Sequence, residues 1–141
     1  RDRDVNKLCN YCVRLLLNNS HLNQYKTVIY FHLIRNLEEI GDQFQDFSVY
    51  MSKSKSRLSE EAHALYKKII EKFNDFYTLF YDFKMENMEQ LLDTSKQIYK
   101  KLENEGGKKK SDSIILNYLY NLIERIRRLA STALELNLDR I

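Results

Sequence analysis

Apolar positions recur along this chain at alternating spacings of three and four, the pattern of helices with one buried stripe. The first such pattern covers residues 4–17, with Val5, Leu8, Cys12 and Leu15 in line and Cys9 and Leu16 widening the stripe. Asn18-Asn19-Ser20 is turn chemistry that stops it. The second covers residues 23–51, with Tyr30, Leu33, Leu37, Ile40, Phe44, Phe47 and Met51 as its seam. It is predicted to end in the Ser/Lys run of residues 52–56. The third starts near Ser59, an N-cap followed by Glu60 and Glu61 in the first turn, where acids suit the helix dipole. Its stripe is Ala62, Leu65, Ile69, Phe73, Phe76, Phe80 and Phe83. The fourth carries Met88, Leu91, Ser95, Ile98 and Leu102, and neither proline nor glycine separates it from the third. A kink near residues 82–86 and one continuous helix are therefore both allowed. Glu105-Gly106-Gly107 is the clearest break. A fifth helix begins near Ser111 or Asp112, with Ile115, Tyr118, Leu122, Ile126, Leu129, Ala133 and Leu136 as its seam.

Short connections between long helices make antiparallel neighbours. The expected fold is all-α, an elongated up-and-down bundle of four to five long helices. Composition agrees. The 141 residues hold no proline and three glycines, where ordinary usage would bring roughly seven and ten, so the main helix breakers are missing. Such a length suffices for one domain with its own core. No run of about 18 apolar residues is present and no signal peptide is visible, so membrane insertion is not expected and a cytoplasmic location is. The net charge of +3 comes from 23 basic and 20 acidic residues, interspersed. That is a solvated helical surface and not a nucleic-acid footprint. Lys108-Lys109-Lys110, between Gly106-Gly107 and Ser111-Asp112, reads as an exposed loop.

Chemistry is sparse. In Leu37-Glu38-Glu39-Ile40-Gly41-Asp42, two carboxylates four residues apart share a helix face, and Asp46 extends the row. Gly41 breaks the local rule, since glycine inside a helix costs about 0.5–1 kcal/mol against alanine; it points to a close backbone approach or to room for an ion. Glu38, Asp42 and Asp46 are the candidate metal ligands, as oxygen donors for a hard or borderline cation. The plainer reading is a surface acid row with Arg35 bridging Glu38. Cys9-x-x-Cys12 has neither the second pair a zinc ribbon needs nor the βαβ context of a redox site, and reads as two buried core thiols. Glu60-x-x-His63 has the spacing of ferritin-like di-metal bundles but no second copy, since neither His21 nor His32 follows a glutamate by three. His63 thus reads as a surface histidine. Tyr77 and Tyr81 point off the third helix's core stripe and are candidates for a protein-contact surface. No constellation for nucleophilic catalysis and no phosphate-cradling glycine loop is present, so an enzyme is not expected.

Residues 30–51, around Leu37-Glu38-Glu39-Ile40-Gly41-Asp42, and residues 114–136, around Ile123-Glu124-Arg125-Ile126-Arg127-Arg128, look like two copies of one unit. The first resembles the L-E-R-I-G-D-like signature of the PhoU family of phosphate-uptake regulators. Asp4-Val5-Asn6-Lys7-Leu8 and Val13-Arg14-Leu15-Leu16 also resemble the E-V-D-R-L and R-L-L pieces of archaeal PhoU-like proteins. The resemblance implies one PhoU-like helical domain over residues 1–141, with an abbreviated second repeat. It implies a non-catalytic regulatory module of phosphate uptake or phosphate signalling, acting through a transporter or signalling partner and forming a homo-oligomer. It further implies iron or zinc at Glu38 and Asp42. The second copy departs from the signature, because Arg127 and Arg128 stand where the glycine and second acid belong; an ion pair with Glu124 is expected there. The opening Arg1-Asp2-Arg3-Asp4, with periodicity starting at once, reads as a piece of a longer protein. An AbrB-like DNA-binding domain can precede such a part, so DNA would be reached through that domain and not through this fragment. The alternatives from other classes are a ferritin-like di-metal bundle and a generic helical protein-interaction scaffold.

Overall fold

The caps set the register of the helices. The Asn23 side chain accepts from the Lys26 amide at 2.7 Å and its carbonyl from the Thr27 amide at 3.1 Å, opening the second helix. Ser59 accepts from the Ala62 amide at 3.2 Å and opens the third, as its sequence predicts. The computed structural model describes residues 2–18, 23–54, 57–105 and 110–140. Five helices result: α1 (Asp2–Asn18), α2 (Gln24–Ser54), α3 (Glu60–Tyr81), α4 (Met85–Glu105) and α5 (Lys110–Leu136), followed by a 3₁₀ turn (Leu138–Arg140). No strand occurs among the described residues, and the molecule is an all-α helical bundle. The 31 residues of α2 span roughly 46 Å at about 1.5 Å each.

The question left open between residues 81 and 85 resolves as a break. Asp82 leaves helical geometry at φ −135° and ψ 79°, while its amide still donates to the Thr78 carbonyl at 2.9 Å. Phe83 packs against the core from the turn. An aromatic anchored at the bend thus does what a glycine or proline usually does, and α4 folds back along α3.

The core is organised around α5. It packs on α2, α3 and α4, whereas α1 packs on α2 alone. Leu119, Leu122, Ile123, Ile126, Leu129, Ala130 and Ala133 are fully buried. This ring of burial is wider than the single seam the spacing predicts, because three partners surround the helix. Tyr118 and Leu136 sit half-buried at its flank. In α4, Met88, Leu91, Ser95, Ile98 and Leu102 are all buried as expected, and the Ser95 hydroxyl donates to the Leu91 carbonyl at 2.7 Å. Phe47 binds three helices together, its ring centroid 5.6 Å from that of Tyr66 and 5.7 Å from that of Tyr118. α2 and α5 run antiparallel, from Lys26 beside Asp139 (3.4 Å) through the Glu39–Arg125 ion pair to Phe47 beside Tyr118.

The first helix corrects its predicted stripe. Its packed face is Val5, Cys9, Val13 and Leu16, of which Cys9 is buried and the others half-buried. Leu8, Cys12 and Leu15 are exposed. The helix has one partner instead of two, so only one flank of its apolar arc is covered. Of the two thiols expected in the core, Cys9 is there and Cys12 is not.

Candidate functional site

Glu38, Asp42 and Asp46 lie on the outward flank of α2, next to the groove where α1 docks. Glu38 is half-buried, and Asp42 and Asp46 are exposed. The Arg35 guanidinium donates to Glu38 Oε2 at 2.7 Å and stacks over the Phe31 ring at 5.2 Å. The cation beside Glu38 is therefore a side chain one turn away. Among the described residues, no group of three or more His, Cys, Asp or Glu side chains converges in a way that would hold a metal ion.

Gly41 owes its place to helix packing. A Cβ built there would lie 3.2 Å from Val5 Cγ1 of α1. Of the two roles its position allows, the close backbone approach is the one seen. The same crossing buries Cys9, whose thiol lies 3.8 Å from the Ile34 carbonyl. Burial raises the Cys9 pKa above its ordinary value, and the negative charge of Glu38, then Cys12 and Asp42, adds to the effect while Arg35 opposes it. Ionisation of the thiol, and with it reaction as a thiolate, is thus disfavoured. Spacing along the chain places Cys9 and the acid row in unrelated helices, and only the crossing at Gly41 brings them into one electrostatic neighbourhood.

In α5 the counterpart of this segment is closed by arginines. Glu124 stands 3.9 Å from Arg127 Nη1 and 3.6 Å from Arg128 Nε, the ion pairing its sequence predicts. Arg125 reaches across to Glu39, so the two signature-like stretches touch each other directly. Arg127 also stacks on Tyr99 at 5.1 Å. Glu60 and His63 are both exposed at the start of α3. The buried polar residues described are Ser95, Thr132 and Asn137. His21, Gly106, Gly107, Lys108 and Lys109 lie outside the described residues. Lys110 begins α5.

α1 carries a row of exposed apolar side chains. Leu8 is 63% exposed, Tyr11 61% and Leu15 51%. With Cys12 they fall at helical spacings on one flank. Tyr77 and Tyr81 of α3 are exposed as predicted, their ring centroids 4.9 Å apart. Scattered apolar residues are normal on a protein surface, whereas a row along one helix marks a contact face. Helical periodicity detects that row, but it cannot tell an inward flank from an outward one. No helix described is long and apolar enough to cross a membrane.

No protein-family model matches the chain, no curated protein matches it, and no solved structure matches it.

Proposed function

We propose that this chain is a non-catalytic regulatory module that works by protein contact, in phosphate uptake or phosphate signalling as its PhoU-like stretches imply. The observation that carries the reading is the α1 flank of Leu8, Tyr11 and Leu15, apolar and without a partner in the fold. An amphipathic helix with one face docked and the adjoining face open is suited to receive another helix. A second copy of the chain or a signalling partner fits there, and the proposed homo-oligomer would use this surface. The reading does not require iron or zinc at Glu38, Asp42 and Asp46, because Arg35 already neutralises Glu38.

The test is a Leu8→Glu/Leu15→Glu variant introduced at the native locus. Phosphate uptake should lose its dependence on external phosphate, while the purified variant keeps its helical content and melting temperature. Sedimentation of the same variant should show a smaller species than the parent. Normal regulation with the variant in place would sink the proposal.

A further inference from the structure

α1 and α3 stand on different sides of α2 and leave a trough between them. α1 docks through Val5 against Gly41 and Cys9 beside Ile34, whereas Tyr66 of α3 meets the Phe44 and Phe47 rings. On the helical wheel Tyr30 and Leu37 fall between these two lines of α2, and both are only half-buried. No α1–α3 contact occurs among the described residues. Both neighbours run antiparallel to α2, so they turn matching flanks towards this strip. Those flanks are Leu8, Cys12 and Leu15 on α1, and Ile70, Tyr77 and Tyr81 on α3, all exposed. Leu8, Cys12 and Leu15 are also the part of the predicted first stripe that α2 leaves uncovered. The outer face of α1 is basic, with Arg3, Lys7 and Arg14 exposed on it. Tyr77 and Tyr81 are neutral, and their paired rings offer π faces that attract cations. The back of one α1 therefore suits the α3 flank of another copy.

We propose that the trough seats α1 of a second copy of this chain, in a two-fold dimer in which each α1 fills the other's trough. The proposal rests on the reading of the α1 flank as a contact face and commits that face to one occupant. Area supports it. The α1 row alone falls short of the roughly 800 Å² per partner that a stable dimer buries. Tyr11, Tyr77 and Tyr81 are 61%, 63% and 72% exposed, about 100–150 Å² each, and with the aliphatic residues of both flanks they approach it. The two-fold axis runs along the helices, because one across them would lay α2 of one copy upon α3 of the other. The two α1 helices are then parallel and in register. Leu8, Cys12 and Leu15 meet their own counterparts, Tyr11 points to Tyr30 and Leu37 of the other copy, and Arg14 faces its Tyr81.

The experiment is sedimentation of the full chain across a range of concentrations, for the parent, Tyr77→Ala/Tyr81→Ala and Leu8→Glu/Leu15→Glu, with circular dichroism verifying each fold. The parent should dimerise, and each variant should weaken dimerisation by roughly tenfold or more, as expected for aromatic and central contacts. Diamide, a thiol oxidant, should join parent chains by a Cys12–Cys12 disulfide, identified by peptide mass. Dilution to the monomer leaves Cys12 open, so its alkylation should slow as concentration rises. A dimer broken by the α1 variant but untouched by the α3 variant would overturn the trough and leave the α1 reading intact. A parent that stays monomeric at every concentration would overturn the second copy as occupant; the uptake assay, which any α1 partner satisfies, decides the reading above separately.

Discussion

Cys9 and Cys12 are three residues apart and chemically unlike. Cys12 is exposed, whereas Cys9 lies under the α1–α2 crossing with Glu38 and Asp42 nearby. A thiol reacts as its thiolate. An alkylating reagent should therefore modify Cys12 first and Cys9 only slowly, and Glu38→Gln should speed Cys9 by removing a charge that opposes ionisation. Mass spectrometry of timed aliquots reads both rates; equal rates would refute the assigned environment. The raised pKa has a defined consequence for stability. The folded chain holds the Cys9 proton more tightly than the unfolded chain does. That stabilisation is complete below the ordinary thiol value of 9.0 and is lost as pH rises through the higher folded value. Denaturation below and above pH 9.0 should show the loss, and Cys9→Ser should lack it. At this scale the sequence was only half legible: periodicity marked both thiols as apolar-face residues, but whether a face is covered depends on a partner helix that spacing does not reveal.

Among the elements, α4 could be read completely, because its stripe Met88, Leu91, Ser95, Ile98 and Leu102 meets a continuous core. Ile29 of α2 and Leu79 of α3, both buried, fell outside the predicted seams. A single line of positions describes one partner, and a helix wedged between neighbours buries a wider arc. Gly41 was recognisable as an exception, and Val5, its reason, lies in another helix. The packing of α1 on α2 can be tested by a double-mutant cycle. In a Val5→Ala background, Gly41→Ala should stabilise the protein by about 0.8–1 kcal/mol, the difference in helix propensity. With Val5 present the gain should shrink or reverse, because the added methyl meets Val5 Cγ1. Urea denaturation of the four proteins measures the coupling, and strict additivity would mean that the two residues do not touch.

At the level of the whole molecule, stability is unevenly shared. Leu122 is fully buried within the helix that α2, α3 and α4 all contact. Leu122→Ala should cost about 2–5 kcal/mol and lower the unfolding midpoint of the entire bundle. α1 has a single partner and an open flank, so it should open locally at much lower cost. Hydrogen exchange should find its amides protected far less than those of α5, and equal protection would contradict the arrangement. The dependence on α5 also bears on how the chain is made. Translation delivers α1 with α2, and then α3 with α4, as hairpins whose contacts are close in sequence. Each leaves the ribosome with an apolar face that only α5, the last of the five, can cover. Contacts such as that between Lys26 and Asp139, 113 residues apart, form only after that helix emerges. The nascent chain is thus exposed to aggregation until α5 has emerged. A change that slows the exit of α5 should lower the yield of native protein without altering the stability of the molecules that do fold.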